Sequence, residues 1–168
     1  LIVTGGTGGH VVPSLSIYDH LKEHFEISLA TDQRGSKYIN KNNYKYTLID
    51  VPNLFSKLHL IPFNLIKFLI SIIKSYNYLN KNKFDILISM GGYMSFPLSI
   101  ASWFLKLKIF LFEPNSVLGR ANKFMIGISN KIICYDKNIK FFPKKYLNKI
   151  FIINPILRKK IYSNNKKS

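Results

Sequence analysis

Short apolar runs alternate along this chain with longer stretches of helical period, and that alternation sets the expected architecture. Strands are predicted over 1–4, 26–31, 46–51, 85–90, 108–112, 131–135 and 150–153, and helices over 12–23, 35–41, 63–80, 97–107 and 119–128. Repeated strand and helix units of this kind build a parallel sheet covered by helices, so the expected class is α/β, a doubly wound, mainly parallel, Rossmann-like sheet. Ligands of such sheets bind beyond the carboxyl ends of the strands, which directs attention to the loops after Thr4, Met90 and Phe112. The stretch 163–168, Ser-Asn-Asn-Lys-Lys-Ser, reads as a polar linker, leaving 1–162 as the expected domain.

The first of these loops is Gly5-Gly6-Thr7-Gly8-Gly9-His10. Four glycines allow a tight turn and close backbone approach, and the helix that follows offers free N–H groups and a positive dipole end to an anion. The loop lacks the Lys-Ser/Thr pair of a Walker loop, and Val11 stands where a dinucleotide fingerprint needs its third glycine. A phosphate or sugar cradle is the expectation, with a purely structural turn as the alternative. His10 at the helix entrance is a candidate base or hydrogen-bond donor to substrate, against a bland role in capping or loop packing.

A second glycine turn, Met90-Gly91-Gly92-Tyr93-Met94-Ser95-Phe96-Pro97, precedes a helix whose first turn suits Pro97. In the third loop, Glu113 and Asn115 stand just past a strand. Asn115 is a candidate hydrogen-bond partner for a sugar or diphosphate, or else a helix cap; Glu113 is a candidate base or orienting acceptor.

Composition refines this picture. The chain has 168 residues and a formal charge of +17, from 25 Lys+Arg and 8 Asp+Glu. A hydrophobic share of 47% belongs to a globular domain with a sizeable core rather than to a disordered basic tail. The 22 Lys against 3 Arg suggest a Lys-rich background, and the positive field attracts anions of any kind. Nucleic acid is not expected, because no zinc-ligand spacing, RNA-binding aromatic motif or Arg-rich helix accompanies the charge. No Asp and His cluster points to a metal, and no cofactor is expected. The lone Cys134, in an apolar run, has no partner for a disulfide and reads as a small buried hydrophobe in a reducing compartment. A first residue inside a strand, with no initiator Met or leader, is expected of a piece of a longer protein.

The motifs together resemble the MurG family of glycosyltransferases (glycosyltransferase family 28). Gly5–His10 followed by Val11-Val12-Pro13, the Gly91–Pro97 turn, Glu113-Pro114-Asn115 with Gly119 and Asn122-Lys123, and Asn154-Pro155-Ile156-Leu157-Arg158 occur in that family's order. The resemblance covers nearly the whole chain, but only the N-terminal, acceptor-side domain of a two-domain glycosyltransferase B fold; a C-terminal donor domain would follow. It implies an inverting transfer of N-acetylglucosamine from UDP-N-acetylglucosamine to the C4 hydroxyl of a polyprenyl-diphosphate-linked muramoyl-pentapeptide, a step of peptidoglycan synthesis at the cytoplasmic face of the bacterial inner membrane. By position it implies donor contacts at Thr7, Gly8, Gly9, Asn115 and Arg158, and acceptor contacts at Gly91, Gly92, Tyr93 and Ser95, with His10 and then Glu113 as catalytic candidates. Two departures stand out: Phe112-Glu113-Pro114-Asn115 replaces the usual His-Glu-Gln-Asn, and one extra residue precedes Arg158 in the Asn-Pro-Val-Arg motif. The alternatives are a membrane-associated subunit of a split glycosyltransferase and a non-catalytic nucleotide- or lipid-binding module.

The most hydrophobic segment, 64–81, is broken by Lys67 and Lys74 and so is not a spanning helix, which needs roughly 20 mainly apolar residues. On a wheel of about 100° per residue, Lys67, Lys74, Lys81, Ser71 and Ser75 share one face and apolar residues cover the rest. This predicts a helix on an anionic membrane surface, touching it through Lys67, Phe68, Ile70 and Lys74, against the alternative of a helix buried between the sheet and a neighbour.

Overall fold

A computed structural model describes residues 1–49, 51 and 61–156 of the chain; Arg158 and the expected linker 163–168 lie outside the described residues. All seven predicted strands form: β1 Ile2–Val3, β2 Leu29–Thr31, β3 Tyr46–Leu48, β4 Ile86–Ser89, β5 Lys108–Glu113, β6 Lys131–Cys134 and β7 Ile150–Ile152. They make one sheet in the order β3-β2-β1-β4-β5-β6-β7, every pairing parallel. Successive residues of a strand face opposite sides of the sheet, so Val3 joins a core with Leu87, Leu111 and Ile132, while Ile2 joins another with Leu29 and Phe112.

Five α-helices are described: α1 Gly8–Leu21, α2 Gln33–Ser36, α3 Ile61–Asn82, α4 Ser95–Phe104 and α5 Arg120–Met125. Several ends differ from the sequence expectation. Helix α1 starts at Gly8 rather than at 12, so Pro13 lies inside it and not in its first turn. The proline removes the bond that Gly9 O would accept. Helix α2 starts earlier and ends sooner than 35–41, because Asp32 caps it by accepting from Gly35 N. Helix α4 begins at Ser95, placing Pro97 third, still within the first turn where its missing N–H costs nothing. A 3₁₀ turn over Lys144–Lys149 has no apolar period and was invisible to pattern reading.

Helix α3 corrects the wheel. It packs against α4, and the residues it buries are Asn64, Ser71, Ser75 and Leu79. Its outward side carries Phe63, Leu65, Ile66, Leu69, Ile70, Ile73 and Tyr76. The serines therefore leave the lysine face: Ser71 and Ser75 turn in while Lys67, Lys74 and Lys81 stay exposed along one border of the apolar stripe. Phe68 also departs from its expected place, half-buried with its ring centroid 6.0 Å from that of Tyr93. Leu65, Ile66, Leu69, Ile70 and Ile73 thus face away from the core, while Leu79 is buried in it. No helix among the described residues is long and apolar enough to cross a membrane.

Candidate functional site

The parallel order places the carboxyl ends of β1, β4 and β5 side by side, so their three loops meet at one edge. Gly91 and Gly92 have φ of 81° and 79°, a left-handed backbone that glycine adopts without strain. His10 lies against this turn: a Cβ on Gly91 would stand 3.6 Å from its Cε1, and one on Gly92 3.6 Å from its Cδ2. The structure thus joins the first loop to the second, and the imidazole is half-buried at their seam.

Asn122, on α5, joins the second loop to the third. Its amide Nδ2 donates to Phe112 O and to Glu113 Oε2, both at 3.0 Å, and lies 3.4 Å from the Cβ position of Gly91. Glu113 is 2% exposed. Its Oε2 also accepts from Gly119 N at 2.7 Å, and its Oε1 accepts from Asn115 Nδ2 at 2.9 Å and Asn115 N at 3.3 Å. Four donors fill both oxygens of this carboxylate and fix the loop around Asn115. Asn115 itself is exposed, with its side-chain amide anchored on Glu113. The cap reading of Asn115 is set aside, since Gly119 is the N-cap of α5.

In the first loop Thr7 is the N-cap of α1 but makes no side-chain cap hydrogen bond, and it is exposed together with Gly9. Thr7 O accepts from His10 N and Val11 N. The N–H groups of Gly8 and Gly9, in the first turn, lie ahead of any intrahelical acceptor. Gly8 faces the Tyr38 ring, 3.3 Å from its Cβ position. Of the remaining predicted residues, Ser95 is fully buried and donates through Oγ to Gly92 O at 2.8 Å, shaping the second loop from beneath. The Tyr93 ring is one member of an aromatic row, at centroid distances of 6.0 Å to Phe68 and 6.0 Å to Phe96, which continues to Phe124 at 6.2 Å.

Sequence reasoning missed Asp32 and gave Asn122 no role. Asp32 Oδ1 accepts from Gly6 N at 2.9 Å and Gly35 N at 2.7 Å, tying the first glycine loop to α2. The signal was present as an acid directly after a strand and three residues before Gly35, the pattern of a helix cap. Cys134 is paired in register with Glu113; burial first and the Glu113 charge second push its thiol up to about 12. Among the described residues no group of three or more His, Cys, Asp or Glu is placed to hold a metal ion. Two hollows of about 290 and 820 Å³ lie elsewhere, and neither includes His10, Glu113 or a glycine of the loops.

Comparison with known proteins bears on this edge. The profile of the glycosyltransferase family 28 N-terminal domain matches residues 1–134. A protein of Pelagibacter ubique named UDP-N-acetylglucosamine–N-acetylmuramyl-(pentapeptide) pyrophosphoryl-undecaprenol N-acetylglucosamine transferase is 47% identical over 97% of this chain, which spans 46% of that relative. The protein of the same name from Rickettsia typhi is 35% identical, with 96% of this chain and 41% of the relative covered. Among solved structures, MurG of Acinetobacter baumannii superposes with a TM-score of 0.74 at 22% identity, covering 94% of this chain and 45% of that one. A UDP-N-acetylglucosamine 2-epimerase from Rickettsia bellii has a TM-score of 0.66 at 16% identity, over 99% of this chain and 47% of the other. At such identities the likeness shows the fold. The chain spans less than half the length of these relatives.

Proposed function

This chain belongs to glycosyltransferase family 28 as an N-terminal domain, and from that premise we propose that it is the acceptor-side half of an inverting N-acetylglucosaminyltransferase acting on a polyprenyl-diphosphate-linked muramoyl-pentapeptide. Residues 1–162 form its acceptor-side domain and 163–168 begin the link to a donor-binding half. The observation that carries the reading is the seating of His10 against the Gly91-Gly92 turn, which Asn122 ties to the Glu113 loop, in a chain 47% identical to a relative named for this transfer.

In the reaction the C4 hydroxyl of the muramoyl sugar attacks the anomeric carbon of UDP-N-acetylglucosamine. A new glycosidic C–O bond forms as the bond to UDP breaks, the configuration inverts, and the hydroxyl proton passes to a base. His10 takes the role of base or orienting group, because its half-buried ring stands beside the Gly91-Gly92 turn at the strand-end loops. Glu113 serves as a positioning residue that aims Asn115, which with Thr7, Gly8 and Gly9 faces the donor. Gly91, Gly92 and Tyr93 face the acceptor, and Ser95 supports them. Backbone N–H groups at the start of α1 suit the charge of a diphosphate. Arg158 stays a donor contact by resemblance alone.

The same reading places the protein at the cytoplasmic surface of an anionic membrane. Its support is the outward apolar stripe of α3, bordered by Lys67, Lys74 and Lys81, with Trp103 and Phe104 also exposed on α4, the helix packed against it. A polyprenyl acceptor stays in the bilayer, so docking by this face brings the loops to their substrate.

Incorporation of labelled N-acetylglucosamine into a short-chain lipid acceptor by the full-length protein tests the proposal. His10→Ala is expected to lower turnover by about a hundredfold or more, in the range of a lost acid–base group. Asn115→Ala is expected to weaken use of the donor. Wild-type turnover in both variants would overturn the site, and no transfer by the complete wild-type chain would overturn the function.

A further inference from the structure

We infer that Arg34 is a diphosphate ligand at the lip of the first glycine loop, held there by Asp32. The inference rests on the transferase reading and deepens it by naming a cationic contact on this half of the cleft.

The placement follows from the backbone. Strand β2 ends at Thr31, and Asp32 uses one carboxylate oxygen, Oδ1, to accept from Gly6 N and Gly35 N. Loop and helix are pressed together at this point: a Cβ on Gly35 would come 2.8 Å from Gly5 Cα, and one on Gly5 2.9 Å from Asp32 Oδ1. The other oxygen, Oδ2, accepts from Arg34 Nε at 3.4 Å. That contact turns the guanidinium back over the loop, where Nη2 stands 3.9 Å from the Cβ position of Gly6.

The chemistry follows from which nitrogen is engaged. Asp32 meets Nε, and the terminal fork of the guanidinium projects from a side chain 71% exposed. A planar fork of N–H donors matches two phosphate oxygens at once, which an ammonium cannot do. In a chain with 22 Lys and 3 Arg, the cationic side chain that reaches the Gly6 position has the phosphate-matching head. The neighbouring first-turn N–H groups of Gly8 and Gly9 favour the same charge. Asp32 carries a negative charge near the ligand, but it is turned inward and engaged by two N–H groups and Arg34. The ligand chemistry is a diphosphate ester, of either the nucleotide sugar or the polyprenyl acceptor.

Titration calorimetry of the full-length protein with UDP and, separately, with farnesyl diphosphate tests this without relying on transfer. Arg34→Ala is expected to weaken one of the two by about tenfold, the loss of a charge-assisted contact. Arg34→Lys is expected to recover only part of it, and Lys37→Ala, an exposed neighbour, to change neither. Weakened UDP binding assigns the contact to the donor; weakened farnesyl diphosphate binding assigns it to the acceptor. Asp32→Asn keeps an acceptor oxygen for the loop but lowers the hold on Arg34, so it is expected to weaken the same ligand with an unchanged unfolding temperature. Wild-type affinity of Arg34→Ala for both ligands would overturn the inference, even if the transfer assay succeeds. Absence of transfer with tenfold weaker binding in Arg34→Ala would overturn the function and leave this contact standing.

Discussion

Glu113 has both carboxylate oxygens filled by donors from Asn115, Gly119 and Asn122, so its chemistry is that of a clamp. Glu113→Gln keeps the shape but turns an amide donor toward donors, and leaving such a buried group unsatisfied costs about 1–3 kcal/mol. Thermal unfolding of the full-length variant is expected to show that loss, with turnover falling through Asn115; an unchanged unfolding temperature would deny the clamp. Cys134 makes the opposite kind of prediction. Its thiol, pushed from an ordinary 9 up to about 12 by burial and then by Glu113, stays protonated at pH 8. Peptide-level mass spectrometry is expected to find it unalkylated by iodoacetamide until the protein unfolds. Because the folded value is the higher, this thiol costs no stability below about pH 9, and stability falls as pH rises from there through about 12.

At the scale of elements, α3 separates packing from hydrophobicity. Apart from Leu79, its fully buried residues are polar, Ser75 among them at 1% exposure, while Ile73 outside is 60% exposed. Close approach to the body of the domain therefore depends on small volume at Ser75. Ser75→Leu is expected to destabilise by about 1–3 kcal/mol through overpacking, although leucine favours helix and apolar surroundings. Chemical denaturation of the full-length variant checks this, and a neutral or stabilising result would refute the inward orientation of that face. Helix α1 offers a second lesson: pattern reading began it after its glycines, since Gly and an interior Pro both lower helix propensity. The sheet and the loop it serves outweigh that local preference.

For the whole molecule, the positive charge and the apolar stripe carry a joint prediction. A row of Lys67, Lys74 and Lys81 beside exposed Ile66, Ile70 and Ile73 suits an anionic bilayer, each lysine near the surface adding roughly 1 kcal/mol. Lys67→Glu with Lys74→Glu in the full-length protein is expected to reduce sedimentation with anionic vesicles by about tenfold or more and to leave neutral vesicles unaffected. Equal recovery with both vesicle types would sink the docking face. The sequence by itself determined the strand and helix alternation, hence the parallel sheet and the three loops at its carboxyl edge, because these follow from local periodicity and from glycine and proline chemistry. It also carried the family motifs. Only the tertiary structure decided which face of α3 turns inward, that Glu113 is fully engaged, and that Asp32 and Asn122 tie the loops to their neighbours. Those outcomes depend on contacts between residues far apart in the chain, Gly6 with Asp32 and Gly91 with Asn122, which no local pattern encodes.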